Sequence, residues 1–183
     1  LALLAVIVWS ARPGQQFELL TVQRSPKWRG ARVVQAYPSR YGNLVVAERA
    51  GQVVFYQSGV LLFTSQDDEE NEALAHIAML QHPAPKRVLL IGGGAAGVAG
   101  EILKHGVARL DYVELDPHII ALARAWLPGR LVAPLSLLRQ AHLHLGDARL
   151  FVRHTALRFD VVIVALPDPT TALLNRFYTR EFF

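Results

Sequence analysis

The stretch Arg87-Val-Leu-Leu-Ile-Gly-Gly-Gly-Ala-Ala-Gly97 decides the fold of this chain. Its first part, 87–91, is predicted to be a strand, because such a continuous apolar run is typical of a strand that is buried on both faces of a parallel sheet. Gly92, Gly94 and Gly97 then form the pattern G-x-G-x-x-G before a predicted helix that runs to His105. Glycines at this point let a ligand approach the backbone and let the helix pack closely on the strand. The stretch predicts a nucleotide-type site, with a tight structural turn as the alternative.

Strands and helices alternate after this stretch. The predicted strands are 110–115, 141–145 and 159–164, and the predicted helices are 117–127 and 149–155. This alternation is typical of a parallel, doubly wound sheet. An acidic run at 67–72 opens a further helix with its apolar-periodic part at 73–80, because acidic side chains in a first turn favour the helix dipole. We therefore expect an α/β, Rossmann-like domain over 67–183.

The region before the acidic run has a different pattern. Short segments rich in β-branched or aromatic residues are separated by glycine and proline, as is typical of strands and turns. The predicted strands are 17–22, 31–36, 43–48 and 52–55. We expect a small antiparallel β layer over 11–66, built from two hairpins.

Composition excludes several classes of protein. Apolar residues make up 52% of the chain and charged residues 19%, which excludes intrinsic disorder as the main state. Cysteine is absent, so disulfides, thiolate zinc sites and cysteine nucleophiles are excluded. The histidines show no metal-ligand spacing, and no G-x-S-x-G motif of hydrolases occurs. Because of that histidine spacing, we expect no metal. The net charge is +4, but the basic residues are scattered, so we expect no nucleic-acid partner.

The ends of the chain predict a membrane connection. The segment 1–9 is apolar throughout but too short to span a bilayer. We interpret 1–10 as the remnant of a transmembrane helix, with a buried strand or the end of a signal peptide as alternatives. Basic residues follow closely, so the positive-inside rule favours a domain that faces the cytoplasm. Since 180–183 reads as the inside of a helix, we expect a fragment truncated at both ends.

Carboxylates follow the later predicted strands. Glu114 lies about 20 residues after the glycine pattern, the distance at which an acid meets ribose hydroxyls. Asp147 could accept a hydrogen bond from the adenine amino group or cap the following helix. Asp168 follows the last strand, where substrate chemistry is common in such sheets, although a rigid Pro-Asp-Pro turn is the alternative. Asp116 precedes Pro117 and is predicted to be a helix cap.

These motifs resemble those of the spermidine/spermine synthases, the polyamine aminopropyltransferases, over 41–183. The end of the chain, 166–183, is similar to a membrane-fused bacterial branch of that family, in which hydrophobic helices flank the synthase domain. The shared segments are Tyr41-Gly-Asn43, Gly59, the helix with Glu72 and His76, 82–94, Glu101-Ile-Leu-Lys-His105, Val113-Glu-Leu-Asp116, Gly146-Asp-Ala148, 159–164 and Asp168-Pro169.

The resemblance implies transfer of an aminopropyl group from decarboxylated S-adenosylmethionine to an amine such as putrescine, without a metal. Methylthioadenosine is the other product. Glu114 would bind the ribose, Asp147 the adenine, and Asp168 and Glu72 would be the catalytic residues near the amine. The implied nucleoside-binding residues also include Gly92, Gly93, Gly94, Gly97 and Ala148. The implied partners are the amine and membrane helices of the same protein, and a homodimer is one possible assembly.

The sequence departs from the family pattern at four positions. Ala165 stands where the family has its catalytic Asp, the first residue of an Asp-x-x-Asp-Pro loop. Ala95 replaces the Asp of a Gly-Gly-Gly-Asp-Gly loop, Ser58 replaces the Asp of a Leu-Asp-Gly turn, and Leu62 replaces a nearby Gln. Each change removes a group that would contact a cationic arm or an amine. The nucleoside half of the implied site is therefore intact, and its amine half is depleted.

Alternatives stay open beside the aminopropyltransferase. A methyltransferase that uses ordinary S-adenosylmethionine would have the same class I methyltransferase-like sheet, and Ala95 would remove a carboxylate that repels the carboxylate of that substrate. A non-catalytic module that binds a nucleoside is the second alternative. An NAD-dependent dehydrogenase is disfavoured, because an acid at the position of Asp147 is more typical of S-adenosylmethionine sites.

Overall fold

A computed structural model describes residues 23, 25–127 and 139–182 of the chain. The chain divides into two compact units, 1–61 and 62–183. The predicted transmembrane remnant at 1–10 and the predicted strand at 17–22 lie outside the described residues. Among the helices in the described ranges, none is both long enough and apolar enough to cross a bilayer.

The first sheet has four strands in the order in which they follow one another along the chain. β1 pairs with β2, and β2 with β3, in antiparallel fashion. Two-residue turns at 50–51 and 58–59 have positive φ at every position, which matches the twist of the flanking strands. The strands are β1 (Arg32–Ser39), β2 (Gly42–Arg49), β3 (Gln52–Gln57) and β4 (Val60–Thr64).

β4 is missing from the sequence-based prediction. Its sequence, Val-Leu-Leu-Phe-Thr, does not alternate between apolar and polar residues, so periodicity did not identify it as a strand. The prediction of an antiparallel layer is confirmed, but the layer is one four-stranded meander among the described residues and not two separate hairpins.

The second sheet is parallel, with strand order β7-β6-β5-β8. This confirms the predicted doubly wound α/β domain. Its strands are β5 (Arg87–Ile91), β6 (Arg109–Glu114), β7 (Ala141–Leu145) and β8 (Val161–Val164). Its helices are α1 (Asp68–Met79), α2 (Val98–Leu103), α3 (Pro117–Trp126), α4 (Ala148–His154) and α5 (Ala172–Asn175).

One helix prediction is confirmed and another needs correction. α1 begins at Asp68, so the acidic run forms the first turns of the helix, as predicted. The expectation that the chain is helical up to its end is wrong for 176–182, which forms turns after the short α5. The side chain of Phe177 is buried in the core, so the chain turns inward at this point and does not continue as a helix.

Backbone hydrogen bonds join the carboxyl ends of the parallel strands. The N–H of Gly92 donates to the carbonyl of Val113 (3.0 Å), and the N–H of Ala165 donates to the carbonyl of Ile91 (2.9 Å). The N–H of Gly146 donates to the carbonyl of Glu114 (2.8 Å). These bonds bring the residues that follow all four strands to one edge of the sheet. The strand order reverses between β5 and β8, the position at which open α/β sheets bind ligands.

Candidate active site

The glycine loop follows β5 and contacts its neighbours through backbone. Gly92 and Gly93 have φ of 69° and 66°, a left-handed conformation that glycine adopts without steric cost. A Cβ atom on Gly93 would lie 2.4 Å from the Cβ of Ala165, and one on Gly94 would lie 2.6 Å from the ring of Tyr112. No side chain fits at either position. The loop therefore needs glycine for close packing against β6 and the end of β8.

Glu114 ends β6 and is 7% exposed. Its Oε2 accepts a hydrogen bond from the hydroxyl of Tyr112 (2.7 Å), and its Oε1 accepts one from the backbone N–H of Asp116 (3.2 Å). Burial raises the pKa of Glu114, and these hydrogen bonds offset only part of that effect. Tyr112 was not predicted as a site residue. The available signal was its position two residues before Glu114, which places both side chains on one face of the strand.

Asp116 is a helix cap, as predicted. Its Oδ1 accepts a hydrogen bond from the backbone N–H of His118 (3.0 Å) at the start of α3.

Asp147 follows β7 and uses both carboxylate oxygens. Oδ1 accepts a hydrogen bond from the N–H of Arg149 (2.9 Å), so the predicted alternative of a helix cap is present in the structure. Oδ2 accepts a hydrogen bond from Nη1 of Arg176 (2.8 Å), a residue that the sequence did not indicate. Ala148 begins α4 and its side chain is part of the buried core. The nucleoside-binding roles of Asp147 and Ala148 stay predictions.

Asp168 lies on the exposed loop after β8. The hydroxyl of Tyr178 donates to the carbonyls of Leu166 (3.0 Å) and Pro167 (3.3 Å), directly before Asp168. Burial and the negative charge of Asp168 raise the pKa of Tyr178. The structure thus places the hydroxyl of Tyr178 beside the loop that carries Asp168, the predicted catalytic carboxylate. Ala165, at the start of this loop, contacts the glycine loop.

Asn71, and not the predicted Glu72, contacts the glycine loop from α1. The Asn71 side chain is buried, and its Nδ2 donates to the carbonyl of Ala96 (2.9 Å). Glu72 is exposed, with its Oε1 4.0 Å from Nζ of Lys104. Asn71 lies on the buried face of α1 with Ala75 and Met79. A polar residue at helical spacing from these apolar residues was the sequence signal that could have identified it. The catalytic role of Glu72 stays a prediction.

The first unit contains a cavity. It measures about 740 Å³ and is lined by residues of the first unit in the ranges 23–32 and 48–53. None of the predicted site residues lines it. Within the ranges that the structure describes, no group of three His, Asp or Glu side chains could hold a metal ion.

A parallel sheet with a glycine loop and carboxylates at the ends of its strands defines a Rossmann-like class of protein, whose members bind ligands at this edge of the sheet. Residues 67–183 match the family model of the spermine/spermidine synthase domain. The chain therefore belongs to that family, which confirms the resemblance to the spermidine/spermine synthases, while the membrane-fused branch stays a prediction.

Individual relatives agree with this assignment. The polyamine aminopropyltransferase of Oceanobacillus iheyensis is 32% identical over 154 residues, which cover 82% of this chain and 30% of the relative. A crystal structure of spermidine synthase in complex with the transition-state analogue AdoDATO is similar to this chain with a TM-score of 0.73 at 32% identity. The match covers 82% of this chain and 52% of the chain in that crystal structure. Spermidine synthase from Thermotoga maritima has a TM-score of 0.65 at 32% identity, with coverages of 73% and 47%. The chain thus spans about a third to a half of the length of these proteins.

Proposed function

We propose that this protein transfers an aminopropyl group from decarboxylated S-adenosylmethionine to an amine such as putrescine. The observation that carries this proposal is the position of Glu114 and Asp147 at the ends of adjacent strands beside the glycine loop, in a chain of the spermine/spermidine synthase family. Its relatives include a polyamine aminopropyltransferase and a spermidine synthase that binds a transition-state analogue.

The nucleoside part of the substrate would bind at the ends of β5, β6 and β7. Ionised Glu114 would accept hydrogen bonds from the ribose hydroxyls, and Asp147 would accept one from the adenine amino group. The glycine loop, with Gly97 at its end, would bring backbone close to the nucleoside. We propose that these residues bind the nucleoside without a metal.

The chemical step is a displacement at carbon. The amine nitrogen uses its lone pair to form a bond to the terminal carbon of the aminopropyl group next to sulfur, and the carbon–sulfur bond breaks. The bonding electrons move to the sulfonium sulfur, which becomes the neutral thioether of methylthioadenosine. The substrate therefore brings its own leaving group.

The attacking amine must first lose a proton. An alkylammonium group has a pKa near 10.4, so deprotonation at pH 7 costs roughly 4 to 5 kcal/mol. We propose that Asp168 accepts this proton and that Glu72 helps to orient the cationic amine. Asp168 would then remove the proton in place of the catalytic Asp that the resemblance assigns to position 165. We therefore expect a slow enzyme.

The test is an incubation of the protein with decarboxylated S-adenosylmethionine and a panel of diamines and triamines. Mass spectrometry should detect methylthioadenosine together with one aminopropylated amine, and Asp168→Asn should abolish both products. Glu69→Gln is a matched control, because Glu69 is an exposed carboxylate on α1. Binding of methylthioadenosine without either product would favour the non-catalytic module.

A methyltransferase is the second candidate, and Ala95 favours it. Ala95 is a buried residue of the glycine loop, at the position where the resemblance to the family implies a carboxylate. A site without that carboxylate does not repel the carboxylate of ordinary S-adenosylmethionine. The same incubation with ordinary S-adenosylmethionine would then yield S-adenosylhomocysteine and a methylated acceptor.

We further propose that the protein belongs to the membrane-fused branch and that its synthase domain, 67–183, faces the cytoplasm. The apolar segment 1–9 and the basic residues that follow it support this proposal. Separation of membranes from the soluble fraction of cells that produce the protein tests it. Recovery in the membrane fraction, with the domain resistant to protease added outside the cell, is the expected result; recovery in the soluble fraction contradicts it.

A further inference from the structure

We infer that Arg176 is a positioning residue for nucleoside recognition, because it orients the Asp147 carboxylate toward the 6-amino group of the purine. This inference rests on the proposed function, since it requires a nucleoside beside Asp147. The structure joins the two residues although they are 29 positions apart in the sequence.

Two donors from separate elements hold the carboxylate of Asp147. The backbone N–H of Arg149 occupies Oδ1 at 2.9 Å, and Nη1 of Arg176 occupies Oδ2 at 2.8 Å. The side chains of Asp147 and Arg176 are only 23% and 26% exposed. A charge-assisted hydrogen bond with this much cover is stronger than a pair on the open surface. The plane of the carboxylate is therefore fixed before a ligand binds.

Arg176 is itself anchored to the core. The next residue, Phe177, is buried in the same cluster as Leu89, Ile91 and Val113. The guanidinium carbon of Arg176 lies 4.9 Å from the centre of the Phe177 ring, within range of a cation–π interaction. Because backbone and guanidinium are both held, little conformational entropy is lost when Arg176 binds the carboxylate.

An ionised carboxylate has about four lone-pair positions and no donor, and two of these positions are taken by Arg149 and Arg176. The remaining positions can accept from a 6-amino group. They repel a 6-oxo group, which would bring one acceptor against another. Without Arg176 the carboxylate gains freedom to rotate about its terminal torsion, which is soft. Removal of Arg176 should therefore reduce the preference for a 6-amino purine, and not merely the affinity for nucleosides in general.

The experiment measures the dissociation constants of methylthioadenosine and of its 6-oxo analogue, methylthioinosine, by titration calorimetry. We expect Arg176→Gln to reduce the preference for the amino nucleoside about tenfold, the effect of one charge-assisted hydrogen bond. Arg176→Lys should retain most of the preference, because one nitrogen makes the contact. Arg180→Gln is the matched control, as Arg180 is an exposed arginine four residues away.

Arg176→Leu keeps apolar contact with Phe177 and replaces the Gln variant if that variant does not fold. An unchanged ratio of the two affinities in the Gln or Leu variant would overturn the inference, even if both affinities fell. A Lys variant as impaired as the Gln variant would also overturn it. If the unsubstituted protein bound neither nucleoside, the proposed function would fail and this inference with it.

Discussion

The hydroxyl of Tyr112 donates a 2.7 Å hydrogen bond to Oε2 of Glu114, and both side chains are buried on one face of β6. Glu114 is the acid predicted to bind the ribose, and the ring of Tyr112 contacts Gly94 of the glycine loop. One tyrosine thus connects the loop to the acid. Changes at any of these three residues should affect both nucleoside binding and stability.

Methylthioadenosine binding should weaken as the pH falls through the raised pKa of Glu114, on the order of tenfold per pH unit. Burial raises that pKa above its ordinary value of 4.5, and the hydrogen bond from Tyr112 opposes the increase. Tyr112→Phe should therefore move the midpoint to higher pH, and Glu114→Gln should remove the pH dependence. Titration calorimetry across the acidic range measures both. A midpoint below pH 4.5 in the unsubstituted protein would contradict this assignment.

Ionisation of Glu114 should destabilise the protein at neutral pH when no nucleoside is bound. A carboxyl group with a raised pKa in the folded state contributes stability below its unfolded pKa, and this contribution is lost as the pH rises through the folded pKa. We expect Glu114→Gln to raise the melting temperature at pH 7, even though it weakens nucleoside binding. Differential scanning calorimetry checks this. A lower melting temperature for the Gln variant would show that the ionised carboxylate is stabilising.

Asp111 should have the opposite effect on stability. It is fully buried, with Oδ2 2.7 Å from Nε of Arg109 and Oδ1 2.7 Å from Nε2 of His144. Burial tends to raise the pKa of Asp111, but the hydrogen bonds from Arg109 and His144 outweigh it and hold the pKa below its ordinary value. The resulting stability is present above the unfolded pKa and is lost as the pH falls through the lower folded pKa.

Asp111→Asn should therefore cost about 1 to 3 kcal/mol at pH 7, and the cost should shrink in strong acid. Urea denaturation of both proteins at neutral pH and near pH 3 measures the difference, with Glu69→Gln as an exposed control. An equal cost at both pH values would assign the effect to packing and not to charge.

Gly94→Ala should be destabilising, because its Cβ would lie 2.6 Å from the buried Tyr112 ring. We expect a loss of roughly 1 to 3 kcal/mol, together with weaker binding of methylthioadenosine. Gly100→Ala in α2 is the matched control, since a Cβ there meets nothing within 4 Å. That control should be stabilising by roughly 0.5 to 1 kcal/mol, as alanine favours a helix more than glycine does. Equal melting temperatures for the two variants would contradict the close contact.

Ala165→Asp should raise aminopropyl transfer, by roughly 100-fold if the new carboxylate acts as a general base. Residue 165 lies at the end of β8 against the glycine loop, at the position that the resemblance to the family assigns to a catalytic Asp. Ala165→Asn provides a control of the same shape without the charge. A flat or lower rate in the Asp variant would show that this loop has a different role in this protein.

Local patterns in the sequence were sufficient for much of the fold. β5 has the bounds that were predicted, because a buried parallel strand is an unbroken apolar segment that ends where glycine begins. β7 also has its predicted bounds, although two histidines interrupt its apolar sequence and none of its residues is fully buried. Asp116 was recognised as a cap because a short acidic side chain before Pro117 has a local partner two residues away. The carboxyl-terminal positions of Glu114, Asp147 and Asp168 followed from strand order, since parallel strands end at one edge.

Tertiary contacts decided which side chains meet at that edge. Asn71 reaches Ala96, 25 residues away, Arg176 reaches Asp147 across 29, and His144 reaches Asp111 across 33. Sequence periodicity reports which face of an element is buried, but it carries no information on the partner that the face will meet. That partner depends on how separate elements pack. The pKa values of Glu114 and Asp111 depend on the same packing, because burial raises the first and a hydrogen bond from the distant His144 helps to lower the second.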